Sequence, residues 1–107
     1  MKAIFWYKGE VVYYTNTTSN VIEPNQLVKI EGRIGIAGSH IDPNTEGTLH
    51  VTGVWELPKK ASEAIIVGKE VYLADDGITA TAGGNTPAGW CVKEAKSTDK
   101  TVLVKIG

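Results

Sequence analysis

Ser39, His40 and Asp42 carry the three functional groups of a hydrolase triad. A working triad draws its members from separate segments that converge, with the base held by a third group. Neighbours on a strand point to opposite faces, so Ser39 and His40 cannot share a proton if that segment is regular. They read as loop residues without a catalytic role. His40 and His50 would need further donors to hold a metal, and no His or Cys stands at ligand spacing from either. His50 falls on the polar side of an alternating run, which points it toward solvent. The single cysteine, Cys91, lies in an apolar run where a small buried hydrophobe fits. No histidine or helix start stands near it in sequence to activate the thiol. One cysteine also excludes an internal disulfide and a cysteine-rich zinc site.

The acidic and glycine-containing motifs are no richer. Asp75-Asp76 lacks the other oxygens that a calcium loop needs, and with Gly77 it reads as a hairpin turn. Asn16-Thr17-Thr18 spells a glycosylation acceptor, but no secretory leader precedes it. The glycines are scattered among apolar runs and never form a phosphate-cradling loop that opens a helix. The expectation is a non-enzymatic protein with no catalytic residues, no cofactor and no metal.

Aromatic side chains are the uneven feature. Five of the eight, Phe5, Trp6, Tyr7, Tyr13 and Tyr14, fall close together at the N-terminus. The pleat of a strand sends Trp6 opposite to Phe5 and Tyr7, so the three cannot all enter one core. Exposed Trp and Tyr are typical anchors of protein interfaces. Phe5, Trp6 and Tyr7 either form a small second cluster under a loop or, as the favoured expectation, are the candidate interface of an oligomer or a docked partner.

The elements that position these residues are strands. Val, Ile and Thr together make up 32 of the 107 residues, and their stiff, branched side chains pack well on a pleated sheet. Short apolar runs bounded by turn chemistry predict strands at Ile4–Tyr7, Val11–Thr15, Leu27–Ile30, Ile34–Gly38, Thr48–Leu57, Glu70–Ala74, Thr79–Thr81, Ala88–Lys93 and Thr101–Ile106. In the longest, Leu49, Val51, Trp55 and Leu57 share one face, so Trp55 is expected to be buried and Trp55→Ala to cost about 3–5 kcal/mol. In the last, Val102, Val104 and Ile106 point inward. Asp42-Pro43-Asn44, Gly83-Gly84-Asn85 and Ser97-Thr98-Asp99 mark loops. Only residues 59–65 could form a short helical turn. Gly35 and Gly89 each begin an apolar strand, with Leu49 and Leu103 at equal spacing beyond them. That echo alone reads as coincidence.

Size and charge narrow the partners. A chain of 11.5 kDa exposes roughly 5,800 Å² when folded and about 16,700 Å² when extended, enough for one modest core. A single all-β domain spanning 1–107, a closed barrel or a two-layer sandwich, is expected. The formal charge is −1 and the basic residues are dispersed from Lys2 to Lys105. The concentrated positive patch that nucleic acid or an anionic membrane requires is not there. No apolar run reaches a membrane-spanning length, and without a leader the chain is expected to be made and used in a cytoplasm.

Taken in order, a series of motifs resembles the capsid cement, or head decoration, proteins of tailed phages and prophages. It begins with Gly9-Glu10 and Tyr14-Thr15-Asn16, and continues through Arg33-Ile34-Gly35-Ile36-Ala37 and Gly47-Thr48. Its most specific piece is Gly53-Val54-Trp55-Glu56-Leu57-Pro58-Lys59, which is similar to that family's Gly-Val-aromatic-Glu-Leu-Pro-Lys segment. Gly68, Val71-Tyr72, Asn85, Gly89, Val92, Ala95 and the strand Val102 to Gly107 complete it. Asn25-Gln26 and Lys69-Glu70 depart from a common Gly or Asp turn, and Trp55 replaces a common Phe. Phe5-Trp6-Tyr7 stands outside the resemblance.

The resemblance implies a compact β-tulip-like or small-barrel domain on the outside of a phage shell, seated across capsomer contacts. It implies a structural role without catalysis or cofactor, the major capsid protein as partner, and a trimer or dimer of the chain made in a bacterial host. Gly53, Trp55, Glu56, Leu57 and Pro58 are expected to serve the fold rather than contact a partner. Two alternatives keep their own discriminators. A small β-barrel module for a sugar or peptide would use the aromatics as a stacking platform, and a hydrolase would depend on His40 or His50.

Overall fold

Turn-forming residues cut the β-branched sequence into nine strands. The computed structural model describes residues 1–107 and contains β1 (Val11–Thr15), β2 (Leu27–Ile30), β3 (Arg33–Ala37), β4 (Glu46–His50), β5 (Gly53–Pro58), β6 (Glu70–Ala74), β7 (Gly77–Thr79), β8 (Thr86–Lys93) and β9 (Thr101–Ile106), with no helix. They form two curled antiparallel sheets in the orders β1-β4-β3-β2 and β5-β9-β8-β6-β7. The all-β expectation holds, and strands Val11–Thr15, Leu27–Ile30, Glu70–Ala74 and Thr101–Ile106 have the expected bounds.

The strand expected at Thr79–Thr81 lies instead at Gly77–Thr79, and three further expectations are corrected. Ile4–Tyr7 pairs with nothing and lies exposed outside any strand. The run Thr48–Leu57 is two strands in different sheets, broken at Val51-Thr52, with Gly53 opening the second. Gly53 takes φ 104, a value that favours glycine. Leu49 accordingly packs in one core cluster and Leu57 in the other, with Trp55 only half-buried against the latter. Residues 59–65 form no helical turn. Lys59 bridges Ile78, and Ile65 pairs with Ala95.

The two sheets are the same motif twice. β1, β4, β3 and β2 correspond to β5, β9, β8 and β6 in sheet order, and many of the connecting backbone bonds recur. Ile22 and Ile41 exchange two hydrogen bonds, as do Ile65 and Ala95. Gln26 N–H donates to Glu23 and Lys69 N–H to Ile66; Thr45 N–H donates to Asp42 and Asp99 N–H to Lys96. Asn25 and Gly68 hold the same turn position with φ 66 and 86, so Asn25 stands where a glycine is common because Asn tolerates that region. The echo of Gly35 and Gly89 is thus no coincidence. An extra residue in the Lys96–Lys100 turn makes Val104, not Leu103, the counterpart of Leu49 in the second copy: Ala37 pairs with Leu49 and Cys91 with Val104.

Beyond that single residue, the copies differ at one larger place. The two-residue loop Glu31-Gly32 of the first is replaced in the second by Asp75–Asn85, which contains β7. Asp75-Asp76 makes the expected hairpin, with Ala74 opposite Gly77. β7 then reaches the end of β5, where Lys60 N–H donates to the Ile78 carbonyl. A Cβ on Gly77 would stand 2.9 Å from backbone atoms of Lys59 and Lys60, so only glycine permits this approach. The second sheet is thereby closed into a small barrel around the larger cluster of 12 buried residues, while the first stays open over a cluster of five. β3 joins them, sending Ile34 and Ile36 into the larger cluster and Ala37 into the smaller.

Candidate functional site

Each polar candidate is accounted for by local structure. His40 Nε2 and Asp42 Oδ1 lie 2.6 Å apart on an exposed loop, and Ser39 does not join them. This exposed base–acid pair lacks the nucleophile of a triad and holds the shape of its loop. His50 is half-buried rather than solvent-exposed, because its ring packs 5.4 Å from that of Trp55 at 42°. Trp55 Nε1 donates to the Thr52 carbonyl at 2.9 Å, so one edge of the indole ties the corner between the sheets. Cys91 is fully buried in the larger cluster. No three His, Cys, Asp or Glu side chains come together as metal ligands.

Two of the four buried polar side chains, Asn16 and Lys59, sit at equivalent places in the two copies. Asn16 Nδ2 donates to the carbonyls of Asn20, at 2.8 Å, and Ile41, at 3.0 Å. Lys59 Nζ donates to the carbonyls of Lys60, at 2.9 Å, and Glu63. Both side chains follow the last residue of the first strand of a copy and satisfy the chain that loops over it. Glu63 in turn accepts from Thr79 Oγ1 and Ala80 N–H, each at 2.7 Å, fastening the end of β7. Burial pushes its carboxyl up, but these two hydrogen bonds and the charges of Lys60 and Lys59 outweigh that and hold it below the usual range.

The family-like segment behaves as framework. Leu57 is buried, Glu56 accepts from Thr101 Oγ1 at 2.7 Å across the strand pair, and Pro58 is the last residue of β5. What remains for recognition is apolar surface. Residues 1–8 project from the body, with Ile4, Phe5 and Trp6 82–85% exposed and Tyr7 50%. The structure does not bring them to another site. Sequence reasoning missed Tyr13, 72% exposed, which alternates with inward Val12 and Tyr14 on β1. It also missed Trp90, 42% exposed, whose place opposite buried Cys91 was the available signal. Trp90 stands beside Lys105, which is flanked on its other side by exposed Val54. Tyr72 and Trp90 border an open groove of about 650 Å³ between the sheets.

No curated protein and no solved structure matches the chain. The sequence pattern of the phage cement proteins matches residues 6–106. With an all-β body, apolar surface and polar groups engaged in holding loops, the chain belongs to the phage cement protein family, whose role is structural and associated with the capsid.

Proposed function

We propose that this protein binds the outer face of a phage capsid, bridges neighbouring capsomers through the major capsid protein, and stabilises the expanded shell without catalysis. The observation that carries the reading is the family match over nearly the whole chain. A protein made in the host cytoplasm and bound only by expanded shells stabilises that state by mass action. A homotrimer, or a dimer, makes several contacts at once, and linked contacts hold firmly even when each is weak. The exposed Phe5, Trp6 and Tyr7 suit such contacts, since large aromatics dominate interface energetics.

Co-sedimentation with undecorated shells of the same phage, expanded and unexpanded, tests this. Saturable binding to expanded shells alone, with a raised shell melting temperature, is expected. A folded protein that binds neither form overturns the proposal. The groove beside Tyr72 and Trp90 favours one second reading, a module for a sugar or peptide, for which a saturable ligand-dependent change in Trp fluorescence is the test.

A further inference from the structure

The unequal copies point to what covers the open sheet. In the second copy β6 has two neighbours, β8 and β7, and β7 carries Ile78, fully buried, into the larger cluster. In the first copy β2 has only β3. Its outer edge is free, and the position corresponding to Ile78 is vacant. The backbone repeats the vacancy: Lys60 N–H donates to Ile78, whereas its counterpart Thr17 N–H donates to no group of the chain. Ladder bonds of an antiparallel pair alternate in direction. Ala37 N–H donates to the Gln26 carbonyl, so Val28 and Ile30 bond β3 while Leu27 and Lys29 present their backbone groups outward.

The chain also holds one segment with strand character and no partner. Ile4-Phe5-Trp6-Tyr7 consists of residues that favour strands, yet it projects into solvent. The radius of gyration is 14.9 Å, against about 13 Å for a compact chain of this length. The accessible surface is 7234 Å², roughly 1,400 Å² more than a folded monomer of this mass exposes. A stable interface removes about 800 Å² from each partner, so the excess is enough for one. Ile4 and Trp6 lie on one face of the extended segment, Phe5 and Tyr7 on the other. Either face would bring two large apolar side chains to the place where Ile78 brings one.

We propose that the N-terminal arm of a second copy adds as a strand to the free edge of β2, antiparallel to it, in the position that β7 fills beside β6. The arm cannot be both exposed and a stable strand, and an edge that lacks a strand is the general site for strand addition. Exchange between two copies closes a dimer, and head-to-tail exchange closes a trimer. This deepens the oligomer component of the capsid-binding reading and rests on it, but it is measured without a capsid.

Sedimentation of the full chain and of a chain lacking Met1 to Lys8 is the test. The full chain is expected to be a dimer or trimer, and the shortened chain a monomer with unchanged circular dichroism. Lys29→Pro removes an outward donor at the edge and spares the bonds to β3, so it should also yield monomer. Oxidation of a mixture of Tyr7→Cys chains with Lys29→Cys chains should give the mixed disulfide-linked pair. A monomeric full chain, or an oligomer of unchanged mass after removal of the arm, overturns the proposal. Loss of self-association by the shortened chain with retained shell binding would support the arm's role and overturn the oligomer as a requirement for cement function.

Discussion

Asn16 and Lys59 do similar work with different chemistry: Lys59 gives its protons to two carbonyls of the loop that follows, and Asn16 to one such carbonyl, Asn20, and to Ile41 before β4. Removing such a group strands buried acceptors, at about 1–3 kcal/mol. Asn16→Ala is therefore expected to lower unfolding free energy by that amount in denaturant titration. Glu63 provides a pH signature. Its carboxyl is held below its ordinary value, so its contribution is present above the unfolded pKa, about 4.3, and is lost as pH falls through the lower folded value. Melting temperature should fall below about pH 4, and Glu63→Gln should flatten that part of the profile while lowering stability at pH 7. A Glu63→Gln profile parallel to that of the parent protein would place the acid sensitivity elsewhere. Trp55 is half-buried and ties a corner, so Trp55→Ala should cost about 2 kcal/mol, less than full burial implies.

At the level of elements, the strands that could be read from sequence are those whose alternation and flanking turns agree, as in Val102, Val104 and Ile106 of β9. The misread ones have physical causes. Ile4–Tyr7 has the residue types of a strand, but a strand also needs a neighbour, and no local pattern reports one. Leu49, Val51, Trp55 and Leu57 keep one parity across a corner, so alternation could not reveal that β4 and β5 belong to different sheets; only Gly53 hinted at it. The candidate interface was legible as consecutive aromatics, whereas Tyr13 and Trp90 were hidden among residues that could equally be core. The repeat was visible in Gly35 and Gly89 because both approach a neighbouring strand closely. A Cβ at Gly89 would collide with the Lys105 carbonyl, and φ there is 139. Gly89→Ala should accordingly abolish folding or cost more than about 3 kcal/mol. Gly32, with φ outside the left-handed region and open space around it, should accept Ala with a change of less than about 1 kcal/mol.

Across the whole molecule, the repeated motif closes unequally, and the two sheets are therefore expected to differ in stability. The closed barrel encloses the larger buried cluster and has both sides of β6 paired, whereas the open sheet has the smaller cluster and a bare β2 edge. Segments with fewer buried apolar contacts and unpaired backbone groups open at lower free energy. Amide hydrogen exchange on dilute, monomeric protein should therefore divide by sheet. Ile78, Val71 and Val104 are expected to exchange only near the global unfolding limit, and Val12, Val28 and Leu49 through smaller openings. Assembly should change one side only. If an arm from another copy covers β2, protection at Leu27 and Lys29 rises with protein concentration, while amides around Ile78 keep their rates. Uniform protection of both sheets in the monomer would mean that the smaller cluster is as stable as the larger one without any added strand. In that case the bare edge would be a solvated border of the fold and not a place where assembly supplies missing stability.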